Sequence, residues 1–311
     1  MRTSRFIAVV FGLVLFSSAC LDLGLADQTD FRLKYSWPSL DVDMMPGTAP
    51  QPQLGVIGGE ASINMWGDRL GLLTSLEMGE FKLHGIAGTY IPPELPAQRI
   101  YQYETQNKII EGVYNLDMRM FIGNFIRRWS DAELKLLRDL NLAVIVGWNW
   151  QDYRFNRTLT EISIQGHPGE APDPHLLPWA DESGYDKDHG GSYHLRASGV
   201  EVGASSDWAP FAEFETDALK QIGVHVLGRY APGLRAEYFG VKWQDTVENL
   251  YAANCEASVT YDFAKLLGLK EKEALTAGLG YEWQILDGSN FNRIVSHGAM
   301  FTVTYGFPHS W

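Results

Sequence analysis

The feature that most restricts this chain is its last stretch, residues 299–311, reading AMFTVTYGFPHSW. Phe301, Val303, Tyr305 and Phe307 fall on one parity, while Thr302, Thr304 and Gly306 fall on the other. Successive side chains of an extended strand point to opposite faces, so one face here is aromatic and the other small and polar. Such a strand predicts a wall with lipid outside and a polar lumen inside. A soluble sandwich can use similar strands, but it needs a second sheet to cover the aromatic face.

The same alternation recurs upstream. Ile110, Gly112, Tyr114, Leu116, Met118, Met120 and Ile122 alternate with Glu111, Asn115, Asp117 and Arg119. Leu142, Val144, Val146, Trp148 and Trp150 oppose Ala143, Gly147, Asn149 and Gln151, with the two Trp placed as an aromatic girdle. Ala253 to Phe263 and Leu275 to Ile285 repeat the pattern. Each run has the length a tilted membrane strand requires. The expected fold is all-β, a transmembrane antiparallel barrel of about ten strands with eight or twelve as alternatives, because single-chain bacterial barrels are even-numbered.

Export is written at the other end. Arg2 and Arg5 precede an apolar run from Phe6 to Phe16 and then small residues, a secretory leader ending at Ala19 or Ala26. Ser18-Ala19-Cys20 also permits acylation of Cys20. The expected organisation is a signal peptide over 1–26 and one barrel domain over 27–311. No later stretch is apolar for the ~20 residues a membrane helix needs, so the expected place is the outer membrane of a Gram-negative cell. The net charge of −13 becomes one unit more negative without Arg2, Arg5 and Asp22, which argues against nucleic acid as a partner. Cys255 alone remains after cleavage at Ala26, so no intramolecular disulfide is available, and its parity makes it a wall residue.

Between these strands, Pro38 interrupts a first strand over Phe31 to Met45, and a second runs from Leu54 to Trp66. Leu70 to Tyr90 reads as one long strand or as a hairpin broken at Gly79. Ile91 to Lys108, with Pro92, Pro93 and Pro96, reads as a loop. Ser130-Asp131-Ala132-Glu133 opens a short periplasmic helix. The stretch 160–192 is an external loop rich in Pro, Gly, His and acids. Tyr193 to Ser206 and Trp208 to Asp217 read as strands, and Gln221 to Trp243 as two limbs split at Ala231-Pro232-Gly233.

Two sets of residues carry the possible chemistry. The polar parity supplies a lumen network of Glu111, Asp117, Arg119, Glu201, Glu213, Glu215, Glu256, Asp262 and Glu282. Narrow barrels are filled by their own side chains, so this set predicts a plugged wall, with a cation-preferring pore or paired acids for proton transfer as alternatives. The loop supplies Asp186, Asp188 and His189, a carboxylate–histidine grouping able to activate water if other elements hold it. No zinc spacing, EF-hand or Gly-x-Ser-x-Gly elbow occurs, so neither metal nor cofactor is expected.

In strand order the chain resembles the omptins, ten-stranded outer-membrane endopeptidases. The likeness rests on Gly112 to Met118 (GVYNLDM), Leu142 to Phe155 (LAVIVGWNWQDYRF), Tyr251 to Phe263 and Leu275 to Trp283. It implies a protease with an acidic pair in the second external loop and an Asp–His couple in the fourth. Ile91 to Lys108 offers only Glu94 and Glu104, well separated, and Asp217 to Asn249 has His225 but no Asp-x-His. None of the family's catalytic residues carries over. The leading expectation is therefore a non-enzymatic surface protein, structural, adhesive or ligand-binding through its external loops. An omptin-type endopeptidase and a narrow cation-preferring porin are the alternatives. Expected partners are outer-membrane lipid, lipopolysaccharide among it, and the barrel-assembly machinery through the strand ending at Trp311.

Overall fold

The computed structural model describes residues 26–42, 55–66, 69–91, 99–123, 140–167, 169–170, 172–173, 191–239, 248–270, 273–288 and 291–308. Ten strands follow in order: β1 (Ala26–Val42), β2 (Val56–Met65), β3 (Leu70–Tyr90), β4 (Tyr101–Phe121), β5 (Ala143–Ile164), β6 (Gly191–Trp208), β7 (Ile222–Phe239), β8 (Glu248–Asp262), β9 (Ala274–Gly288) and β10 (Phe291–Pro308). Each pairs antiparallel with its neighbours in sequence, and β10 returns to β1, so the sheet is a closed ten-stranded barrel. The closing seam runs from Gln28↔Pro308 to Val42↔Ile294. Closure leaves no strand edge along this seam, which is what a sheet immersed in hydrocarbon requires.

The strands follow the alternation that the sequence carries. On β10, Phe301 and Tyr305 are exposed on the outside while Thr302 and Gly306 are buried within. Pro38 lies beyond Ser36↔Val56, the last β1–β2 pair, where its missing N–H costs no bond to β2. Leu70 to Tyr90 is one strand with an irregularity between Leu83 and Ile86.

Several boundaries differ from the sequence reading. Gln221 to Trp243 does not form two limbs: β7 runs through Pro232 and Gly233, and the ladder to β8 steps from Ala231↔Ala252 to Leu234↔Leu250. A bulge takes the proline where no ladder bond is required. Trp208 to Asp217 is not a strand either. Pro210 ends the ladder, Ala212 N bonds Ala209 O at 3.2 Å, Phe214 N bonds Phe211 O at 3.1 Å, and a one-turn helix follows over Asp217–Lys220. The rings of Phe211 and Phe214 pack edge to face at 5.3 Å, so the alternation there belongs to a turn. Tyr101 already belongs to β4, and residues 160–164 and 191–192 belong to β5 and β6, which shortens both external loops. The leader up to residue 25, the helix at Ser130, the loop residues Asp186, Asp188 and His189, and Trp311 lie outside the described residues.

The connections 66–69, 122–142, 209–221 and 263–273, together with Ala26 and Pro308, share one end of the barrel, and the longest connection, 165–190, lies at the other. Outer-membrane barrels carry their longer loops on the outside, so the end with Ala26 and Pro308 is the periplasmic one. There Lys265 donates to Asp217 at 2.7 Å and ties two turns together; this hydrogen bond and the lysine's charge hold the Asp217 carboxyl below the usual range.

Candidate functional site

The inward residues form three tiers. In the middle, Lys34 is 3% exposed, hydrogen-bonds Glu77, and lies 3.3 Å from Glu256 and 3.2 Å from Glu282. Arg32, two residues earlier on the same face, pairs with Glu256 at 2.5 Å and Glu60 at 3.2 Å. Across the lumen, Arg229 donates to Asp117 at 2.9 Å. Gly147 makes room for this pair, since a Cβ there would stand 2.0 Å from Asp117 Oδ1. Alternation delivers these charges to the interior, and pairing is what lets them stay there.

Towards the extracellular end the interior changes character. Leu40, Ile109, Phe155, Leu195, Leu234 and Leu250 are all buried in one apolar cluster that fills the upper lumen. The Tyr153 hydroxyl donates to Glu111 at 2.8 Å at its lower margin. This tier comes from a switch in phase along single strands. On β5 the outward residues are Val144, Val146, Trp148 and Trp150, and then Asp152 and Arg154. The inward residues are Ala143, Ile145, Asn149 and Gln151, and then Tyr153 and Phe155. On β6, outward Val200 and Val202 likewise give way to Ser198, Arg196 and His194. Roughly nine residues, Ala143 to Gln151, carry the lipid-facing phase, the length of one tilted crossing. The strand itself has 22 residues, so its upper part stands beyond the bilayer with apolar side chains inside and polar ones outside. The chain is an outer-membrane β-barrel whose strands continue past the lipid-facing band.

On the outer face of that extension, Asp152 gathers partners. His194 Nε2 lies 2.6 Å from its carboxylate, with Arg154 at 3.6 Å and Arg196 at 3.7 Å. Arg196 stacks 5.2 Å over Phe239. A groove of about 650 Å³ lies beside them, bordered by Tyr114, Trp150, Arg196, Arg235 and Glu237.

At the periplasmic end the lumen opens into a polar cavity of about 400 Å³. His225 stands in its wall, with Nδ1 2.6 Å from Asp207 and Nε2 3.2 Å from Glu256 and 3.1 Å from Arg32. Both ring nitrogens are thus engaged by charged partners.

Of the residues singled out in the sequence, the structure brings Glu111, Asp117, Arg119, Glu201, Glu256 and Glu282 into the interior, each at most 7% exposed. Glu213 and Glu215 are not lumen residues; they are exposed on the turn after Pro210, because the ladder has ended there. Asp262, at the end of β8, accepts from the amides of Ala264 (2.8 Å) and Leu275 (3.3 Å), serving the one-turn helix Ala264–Leu267 rather than the lumen. Sequence reasoning missed Arg32, Lys34, Glu60, Glu77 and Asp207, and set His225 aside because no Asp-x-His accompanies it. Lys34 and Arg32 share a parity in the first strand and Glu60 lies in the second, a signal that was present. The couples Asp152–His194 and Asp207–His225 join different strands, and no local spacing announces them.

No family model and no curated protein matches the chain. Solved structures similar to it include the outer membrane protease OmpT from Escherichia coli, at 8% identity and a TM-score of 0.40 over 92% of this chain and 94% of that one. The translocator domain of the autotransporter NalP from Neisseria meningitidis gives 12% identity and a TM-score of 0.37 over 99% and 98%. The attachment invasion locus protein Ail of Yersinia pestis, in complex with the heparin analogue sucrose octasulfate, gives 7% and 0.33 over 91% and 100%.

Proposed function

We propose that this barrel is sealed and acts outside the membrane, as a non-enzymatic surface protein that binds its ligand through the extracellular extension and loops. The observation that carries this reading is the apolar tier. Conduction needs a continuous polar path, and buried Leu40, Ile109, Phe155, Leu195 and Leu234 interrupt it above the charged belt. Planar-bilayer recording tests it. Refolded protein with heat-modifiable gel migration is expected to give no steady conductance. Cation-selective steps that fall in a Glu256→Gln variant would replace this reading with the porin.

Lipid belongs to the same proposal. Arg196 and Arg235 stand beside Trp150 where the lipid-facing phase ends, a placement suited to headgroup phosphates, lipopolysaccharide included. A second reading, an omptin-type endopeptidase, draws support from one geometry: the Asp152–His194 couple at 2.6 Å on the extracellular side. Cleavage of a dibasic fluorogenic peptide, lost in His194→Ala, would favour it. Loss in a variant lacking Asp188 and His189 would move the couple to the loop instead.

A further inference from the structure

The periplasmic cavity holds a charge arrangement that the plug does not explain. Among the described residues, four permanent cations line the lower and middle lumen, and three of them meet carboxylates: Arg32 with Glu60 and Glu256, Lys34 with Glu77, Glu256 and Glu282, and Arg229 with Asp117. Arg119 is the exception. It is 7% exposed, stacks 5.2 Å over Phe121 and donates from Nη2 to the neutral Asn64 at 3.3 Å, while its Nε has no hydrogen-bond partner. Among the described residues no carboxylate lies within 4.0 Å of its guanidinium. The carboxylates of Asp207, Asp30 and Glu60 act on it from beyond contact distance, and stacking on an aromatic face offsets only part of the cost of burying the charge.

Asp30 lines the same cavity. Its oxygens accept from Gln28 at 2.8 Å and Ser62 at 3.2 Å, both neutral, and no cation among the described residues is in ion-pair range. The other charges on this wall compensate one another, Arg32 with Glu60 and His225 with Asp207. One guanidinium and one carboxylate are therefore left facing a common space without touching. At about 400 Å³ that space falls within the range of small-molecule sites. Thr260 and Thr302 add hydroxyls to its wall.

We infer that this cavity is a binding site for a small zwitterion of the amino-acid or short-peptide class, entering from the periplasm, with its carboxylate on Arg119 and its ammonium on Asp30. The site lies at the opposite end from the extracellular surface and does not depend on what that surface binds. Arg119, which lines the cavity, offers the accessible part of its guanidinium to the incoming carboxylate, a charge-assisted bond of the stronger kind. Asp30 then accepts from the ammonium while keeping Gln28 and Ser62 as orienting donors.

Isothermal titration of the full refolded barrel in detergent tests this, with alanyl-alanine as the zwitterion, its N-acetyl form as the anion and its C-terminal amide as the cation. Saturable binding of alanyl-alanine is expected, with each blocked form weaker by about tenfold or more. Arg119→Gln is expected to lose alanyl-alanine by a similar factor. Asp30→Asn is expected to bind alanyl-alanine no better than the N-acetyl form, whose own affinity rises as a like charge beside it is removed, a selectivity change that loosened packing would not produce. Asp30 is half-buried at the rim, so this variant decides the matter even if Arg119→Gln fails to fold. The inference is overturned if the folded wild type shows no saturable heat with alanyl-alanine. It is equally overturned if the N-acetyl form binds as tightly, or if Asp30→Asn leaves the preference intact.

Discussion

Lys34 is the residue on which the charged belt turns, and replacing it with Met has a consequence that can be sized. Its ammonium, on a side chain 1% exposed, meets Glu77, Glu256 and Glu282. Arg32 also serves Glu256, but no other cation reaches Glu77 or Glu282 within 4.0 Å among the described residues. Lys34→Met therefore leaves two buried carboxylates facing each other with only the Gln284 amide between them. Breaking a buried ion pair from one side costs about 3–5 kcal/mol. Removing one of the three carboxylates is a different matter: Glu282→Gln leaves Lys34 with two partners and reduces the excess of negative charge, so its cost stays below about 1 kcal/mol. Equilibrium urea unfolding in lipid vesicles, followed by tryptophan fluorescence, measures both. Lys34→Met within about 1 kcal/mol of wild type, or Glu282→Gln as damaging as Lys34→Met, would refute the belt as described.

Three further expectations follow from the wall. Gly147→Ala puts a Cβ 2.0 Å from Asp117 Oδ1 and 2.6 Å from Leu116 O, and is expected to lose about 1–3 kcal/mol or more, whereas Gly228→Ala, with nothing within 4 Å, changes stability by less than about 0.5 kcal/mol; parallel denaturation curves decide. Leu195→Ala, at a position with 0% exposure in the upper lumen, is expected to cost about 2–5 kcal/mol and to leave the lipid-facing band untouched, which retained insertion into vesicles would show. Val146→Arg, on the outward face of β5, is expected to cost about 2–4 kcal/mol in a bilayer, and much less if that face meets water; unfolding from vesicles separates the two.

The barrel was legible because closure and alternation are physical requirements of a strand in lipid. Phe301 and Tyr305 on β10 and Met118 and Met120 on β4 show the pattern that any such strand must show. The upper lumen was harder to see, although the same rule contains it. Past Gln151 the apolar parity of β5 passes from Trp148 and Trp150 to Tyr153 and Phe155, and that switch marks the bilayer edge. Glu213 and Glu215 misled because their alternation survives past Pro210, where pairing has already stopped. The site residues resisted for a different reason. Arg119 and Asp30 come from β4 and β1, and Asp207 and His225 from facing positions on β6 and β7. Their meeting depends on barrel geometry that no local spacing encodes. The external loop with Asp188 and His189 follows no strand rule at all.

The most direct test of a lipid-facing band with an extracellular extension above it is cysteine accessibility on intact cells. In a Cys255→Ser background, single substitutions Arg154→Cys and Val146→Cys are exposed to a membrane-impermeant maleimide. Labelling at 154 with protection at 146 is the predicted result. Labelling at 146 from outside, or protection at 154 in protein that is shown to be folded in the outer membrane, would contradict the account.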